Sequence, residues 1–177
     1  MKPKVMVLLA PGTNRHLDGA RAFELAGADP EVVPLAWLRQ GRRHLRDYQL
    51  LLVPGGFSYA DSLGAGRLLA LDLQSVFADQ VAEHIAARKP VLGICNGFQA
   101  LVRAGLLPGA LTFNQSGHFE CRWVRLRPLS QRCVWTRELD QPIDCPVAHG
   151  EGNFQCASEN AVETLAEADQ LALRYDA

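Results

Sequence analysis

Pro90-Val91-Leu92-Gly93-Ile94-Cys95-Asn96-Gly97-Phe98-Gln99 is the stretch whose reading decides the fold. The apolar run Val91 to Ile94 predicts a buried strand that stops at Cys95. The residues after it, Gly97 to Ala104, have helical spacing and end at Gly105, a good helix C-cap. One cysteine therefore falls on a sharp strand-to-helix turn, bracketed by Gly93 and Gly97. That is the layout of a nucleophile elbow, with sulfur in place of the serine oxygen. Small neighbours let the backbone turn tightly and present the side chain. The helix start behind it supplies free N–H groups and positive dipole potential, which favour thiolate and can bind an oxyanion. The bland alternative is an inert core cysteine.

Upstream, Val5 to Leu9 reads as a strand buried on both faces, and Pro11-Gly12-Thr13-Asn14 as a loop. Leu17 to Ala26, closed by Gly27, predicts a helix, and Glu31 to Leu35 a short strand. The basic segment Arg39 to Arg46 reads as a solvated connection. Tyr48 to Val53 predicts a third strand, running into Pro54-Gly55-Gly56-Phe57-Ser58-Tyr59. Leu68 to Ala87 predicts one continuous helix with Leu73, Val76, Phe77, Val81 and Ile85 near one face. Alternating strands and helices imply an α/β fold, doubly wound, with a mostly parallel sheet and helices on both faces. After Leu107-Pro108-Gly109 a β-rich C-terminal part is expected. Cys121 to Arg127 reads as a half-exposed strand, and Val134-Trp135 as the start of another.

The whole composition narrows the options. At 177 residues the prior is one domain, and 48% hydrophobic residues suffice for a real core. A net charge of −1 implies no basic face for nucleic acid. No apolar run is long enough to span a bilayer, and Val5 to Ala10 is too short for a signal sequence, so no membrane association is expected. Five cysteines, an odd number without C-x-x-C, point to a reduced, cytoplasmic protein. Cys145, His149 and Cys156 fit no common zinc spacing, and no metal site is expected.

Ligands of open parallel sheets sit beyond the carboxyl ends of the strands. Three loops fall there: Pro11 to Asn14, Pro54 to Phe57, and the elbow. Gly55 and Gly56 can bring backbone N–H groups to a substrate without side chains in the way, and the N–H of Asn96 supplies a second oxyanion donor. The alternative for Gly55-Gly56 is a plain turn. A nucleophilic cysteine also needs a base, normally a histidine oriented by a carboxylate. Among His16, His44, His84, His118 and His149, the expectation for His44 and His84 is the surface. His149-Gly150-Glu151-Gly152 is the richest context, with His149 and Glu151 as candidate base and carboxylate; the alternative is a turn that the two merely cap.

Pro54-Gly55-Gly56-Phe57-Ser58-Tyr59-Ala60-Asp61, Gly93 to Gln99, Asn114-Gln115-Ser116-Gly117-His118-Phe119-Glu120 and Ala148-His149-Gly150-Glu151-Gly152 occur in that order. Together they resemble the glutaminase subunits and domains of phosphoribosylformylglycinamidine synthase, within the class I, triad-type glutamine amidotransferases. The resemblance implies a flavodoxin/Rossmann-like amidotransferase domain over residues 1–177, and glutamine as substrate. It implies Cys95 as nucleophile, Gly56 and Asn96 as oxyanion donors, and Gln99 as a residue that helps hold the glutamine. It also implies ammonia transfer to a synthetase subunit or domain in purine biosynthesis. No cofactor is implied for this chain, and ATP and Mg are expected on the synthetase. In the family, the catalytic His and Glu belong to a C-terminal His-Pro-Glu motif, which this sequence lacks. The expectation drawn from that is a C-terminally incomplete chain; a variant with impaired glutaminase activity, or His149 standing in as base, are the alternatives. Two other functions compete. One is a Cys-elbow hydrolase or stress protein of the DJ-1/PfpI kind, for which Glu24 lies in the right part of the chain. The other is a non-catalytic module that docks on a synthetase.

Overall fold

The computed structural model describes residues 1–176. The chain divides into two compact units, Met1–Leu107 and Pro108–Ala177.

The first unit is built on a four-stranded parallel sheet. Its strands are β1 (Lys4–Leu9), β2 (Asp29–Pro34), β3 (Leu50–Val53) and β4 (Val91–Gly93), in the spatial order β2-β1-β3-β4. Alternate side chains of each strand feed opposite faces. Met6, Leu8, Leu51 and Val53 enter the larger apolar cluster with Leu69, Leu73, Phe77, Val81 and Leu101. Val5, Val7 and Leu52 enter a smaller one, covered by Ala20 and Phe23 of α1 (His16–Leu25). The chain order reverses between β1 and β3, which places the switch point of the sheet at the loops after those two strands.

Several expectations are corrected. β4 is an edge strand and half-buried, because only β3 pairs with it in this unit. The basic segment is partly structured: α2 (Leu35–Arg39) ends on its first residue, a 3-10 turn at Leu45–Asp47 closes it, and Arg43 pairs with Glu31 at 2.7 Å. The expected continuous helix is broken into α3 (Arg67–Leu71), a π turn at Asp72–Val76, and α4 (Ala78–Ala86). In the π turn, Phe77 N–H donates to Asp72 O, one residue further back than in an α-helix. Each extra residue rotates the helix beyond it by about 100°. Leu73, Phe77 and Val81 are buried, and Val76 and Ile85 face solvent. His84, expected at the surface, is 1% exposed. Its ring faces the backbone of Pro90 and Leu45 without a well-formed hydrogen bond, and burial lowers its pKa.

The elbow helix α5 (Asn96–Arg103) ends in a Schellman motif: Leu106 N–H donates to Leu101 O and Gly105 N–H to Val102 O, with Gly105 at φ 67°.

The second unit is antiparallel. β6 (Glu120–Pro128) lies between β7 (Ile143–His149) and β9 (Leu173–Tyr175), and β5 (Ala110–Thr112) pairs with β8 (Asn153–Gln155). α6 (Glu159–Glu167) is capped by Ser158, whose Oγ accepts from Ala161 N–H. Val134-Trp135 starts no strand. It lies in a turn closed on the Cys133 carbonyl by the N–H groups of Thr136 and Arg137.

Candidate active site

Cys95 occupies the junction of β4 and α5 with φ 52° and ψ −114°. A side chain at positive φ is strained, and such strain concentrates at functional positions. The turn is closed by Gly97 N–H to Ile94 O at 2.9 Å and Gln99 N–H to Cys95 O at 3.0 Å. Gly97 is what lets α5 start here. A Cβ on it would drive into the Val53 carbonyl, with Val53 C at 2.5 Å and Pro54 O at 3.0 Å. The Cys95 side chain is exposed, and all five cysteines are free thiols.

The loop after β3 lies against the elbow. A Cβ on Gly55 would sit 3.2 Å from Cys95 Cβ, so the bare backbone of Gly55 faces the thiol. Gly56 has φ 139°, and a Cβ there would meet Asn14 N at 2.6 Å. The pairing between the two loops runs through Phe57 N–H to Gly12 O and Arg15 N–H to Gly55 O, not through Gly56 N–H. Backbone donors near an exposed sulfur at a helix start are the parts of an acyl-transfer site.

Asn96 is 2% exposed and its amide is fully engaged. Its Oδ1 accepts from Ser58 Oγ at 2.6 Å and from Ser58 N–H at 3.1 Å. Its Nδ2 donates to Asp61 Oδ1 at 2.8 Å and approaches Gln99 Oε1 at 3.3 Å. Gln99 is thus buried behind the elbow with its side chain turned to Asn96. Ser58 and Asp61 were not singled out as site residues by sequence reasoning. They stand within the Gly-Gly motif, but nothing in a single sequence marks a bond spanning 35 or more positions.

His149 and Glu151 belong to the second unit, where β7 turns towards β8. Asn114 organises that turn. Its Nδ2 donates to the carbonyls of His118 and His149, both at 2.8 Å, and its Oδ1 accepts from Gly152 N–H at 3.0 Å. The same Oδ1 lies 2.9 Å from His149 Nδ1, so Nδ1 carries the proton and Nε2 is the basic nitrogen. The imidazole lies flat over Gly152, where a Cβ would come to 2.5 Å of Nε2. Glu24 is on α1 and pairs with Arg21 at 3.1 Å, away from any strand. Among the described residues, no group of three or more His, Cys, Asp or Glu is placed to hold a metal ion. Among them, no helix is long and apolar enough to cross a membrane.

Comparison with known proteins carries the geometry to a family. The family model of the CobB/CobQ-like glutamine amidotransferase domain matches residues 2–177. Phosphoribosylformylglycinamidine synthase subunit PurQ of Treponema denticola is 48% identical, over 99% of this chain and 72% of that protein. The PurQ subunit of Dehalococcoides mccartyi is 43% identical, over 86% of this chain and 63% of that protein. The solved structure of PurLQS from Thermotoga maritima matches with a TM-score of 0.78 and 34% identity, covering 100% of this chain and 76% of that one. The elbow, the glycine loop beside it and these matches agree, and the chain belongs to the PurQ family of glutamine amidotransferases.

Proposed function

We propose that this amidotransferase is the glutaminase component of phosphoribosylformylglycinamidine synthase. It hydrolyses glutamine through a Cys95 thioester and supplies ammonia to a synthetase partner in de novo purine biosynthesis. The exposed cysteine at positive φ on the α5 N-terminus, faced by bare Gly55, carries the reading. The names of the relatives support the partner and the pathway.

The Cys95 sulfur adds to the side-chain carbonyl carbon of glutamine, forming a C–S bond as the carbonyl π pair moves to oxygen. Gly56 N–H and Asn96 N–H hold that oxyanion. The C–N bond then breaks, and the nitrogen leaves as ammonia with the proton that the thiol gave up. Water adds to the γ-glutamyl thioester, releasing glutamate and restoring the thiol. Gln99 acts through Asn96, on which its side chain rests. This half-reaction consumes only glutamine and water; ATP and Mg serve the synthetase half. The five free thiols fit a reducing, cytoplasmic setting.

Were His149 to stand in as base, Nε2 would be its acceptor, because Asn114 Oδ1 holds Nδ1. His149→Ala in the assembled synthase then abolishes glutamate release but leaves Cys95 open to alkylation. Retained turnover assigns His149 to the Asn114 turn alone.

A glutamine-analogue electrophile labels Cys95, and Cys95→Ala loses both labelling and glutamate release. Labelling that persists in Cys95→Ala shows that another group is the nucleophile.

A further inference from the structure

Three successive residues without a glycine among them, Tyr59, Ala60 and Asp61, have φ of 54°, 55° and 52°. Left-handed backbone costs an L-residue about 1–2 kcal/mol each. Such a run persists only where its surroundings over-determine it. Here both ends are anchored. Tyr59 N–H donates to Pro11 O at 2.7 Å, and the Tyr59 hydroxyl donates to Asp72, which also receives Arg39. Asp61 Oδ1 receives Asn96 Nδ2.

The Asn96 amide admits one orientation only. Ser58 N–H can only donate, so Oδ1 faces it, and Nδ2 faces the Asp61 carboxylate. Ser58 is two residues beyond Gly56, and Asn96 directly follows Cys95. The Ser58–Asn96 bonds therefore tie together the two segments that carry the proposed oxyanion donors. The left-handed turn brings Asp61 back to brace that tie from the other side of the amide.

Resting on the acyl-transfer reading above, we propose that Asp61 is a positioning residue. Through the Asn96 side chain it fixes the Asn96 N–H relative to Gly56 N–H, and so sets the geometry of the oxyanion site. Asp61 touches neither the thiol nor the substrate in this role.

The test uses a glutamine analogue with an aldehyde in place of the side-chain amide, added to the synthase assembled with each variant. The thiol adds across the C=O: a C–S bond forms, the π bond breaks, and the thiol proton goes to the oxygen held by the two N–H groups. This addition reports the oxyanion site without requiring turnover. Losing an oxyanion donor costs about 100- to 1,000-fold and a misplaced group about 100-fold, so Asp61→Ala is expected to weaken the aldehyde by about 10- to 100-fold. Glutamine affinity and the rate of Cys95 alkylation by iodoacetamide, which forms no oxyanion, should stay within about threefold. Asp61→Asn keeps an acceptor for Asn96 Nδ2 and should restore aldehyde binding. Ser58→Ala, which keeps the Ser58 N–H bond, should give an intermediate loss and serves as the readout if Asp61→Ala does not fold. If the unaltered chain binds the aldehyde but neither Asp61→Ala nor Ser58→Ala weakens it, the positioning role falls alone. Equal loss in Asp61→Asn and Asp61→Ala also overturns it. If the unaltered chain forms no adduct, or Cys95→Ala still binds the aldehyde as tightly, the acyl-transfer reading falls and takes the positioning role with it.

Discussion

Gly97→Ala sets two physical effects against each other inside α5. Helix propensity favours alanine over glycine by about 1 kcal/mol. Close packing opposes it: the new methyl would enter the Val53 carbonyl and lie 2.5 Å from Val53 C and 3.0 Å from Pro54 O. All three are backbone atoms of β3 and its loop, so no side chain can swing aside. Overpacking of this kind costs about 3 kcal/mol at the upper end of its usual range. Sterics should win by about 2 kcal/mol. With a urea slope of about 2 kcal/mol/M, the midpoint should drop by about 1 M. Trp37 reports the first unit once Trp123 and Trp135 are replaced by Phe. Gly105→Ala is the control: nothing lies within 4 Å of its Cβ, and only its φ of 67° opposes the change. It should cost about 1 kcal/mol. A Gly97→Ala midpoint at or above that of the unaltered chain would refute the close approach of α5 to β3, because propensity alone would then govern.

Stability should also depend on His84. Burial, with a contribution from nearby Lys89, lowers its pKa below the ordinary 6.5, while the carbonyls of Pro90 and Leu45 oppose this. The unfolded chain then takes up the proton first, so this stabilisation is present above pH 6.5 and is lost as pH falls towards the folded value. His84→Gln should flatten the acid limb of a pH series of urea midpoints; an unchanged limb counts against it. Burial and the hydrogen bond to Asp72 push the Tyr59 phenol up to about 12. In an ultraviolet titration the step that Tyr59→Phe removes should therefore be the one near pH 12, and a step removed near an ordinary phenol value would contradict the Asp72 contact. Ser158→Ala should cost the second unit about 1 kcal/mol by uncapping α6, read as a lower thermal midpoint for Trp123 and Trp135.

The elbow was legible because it is local. A short apolar strand, two glycines and a helix pattern lie close together in the chain. The parallel sense of the sheet followed from the same alternation of strand and helix. What escaped depends on partners distant in sequence. The π turn exists where Asp72 meets Tyr59 and Arg39, and no periodicity in Leu68 to Ala87 announces it. Tyr59-Ala60-Asp61 carries no glycine or asparagine to signal a left-handed turn. His84 reads as polar, yet neutral imidazole is tolerated where the chain folds over it. Val134-Trp135 shows that two apolar residues are too few to separate a strand from a turn. The sequence points to the Asn96 N–H as an oxyanion donor and is silent on its side chain, which the structure makes the hub of the site.

The two faces of the parallel sheet are unequally covered, and that has a consequence in time. α1 contributes no fully buried residue, whereas the opposite face carries most of the core. Local opening draws on the elements with fewest buried contacts. Amides of α1 should exchange with deuterium well before those of β1 and β3. The loop that leads into α1 is nonetheless fastened to the Gly55-Gly56 segment by two backbone hydrogen bonds. The helix can therefore unravel and re-form many times within one global unfolding lifetime while the loops around the elbow keep their shape.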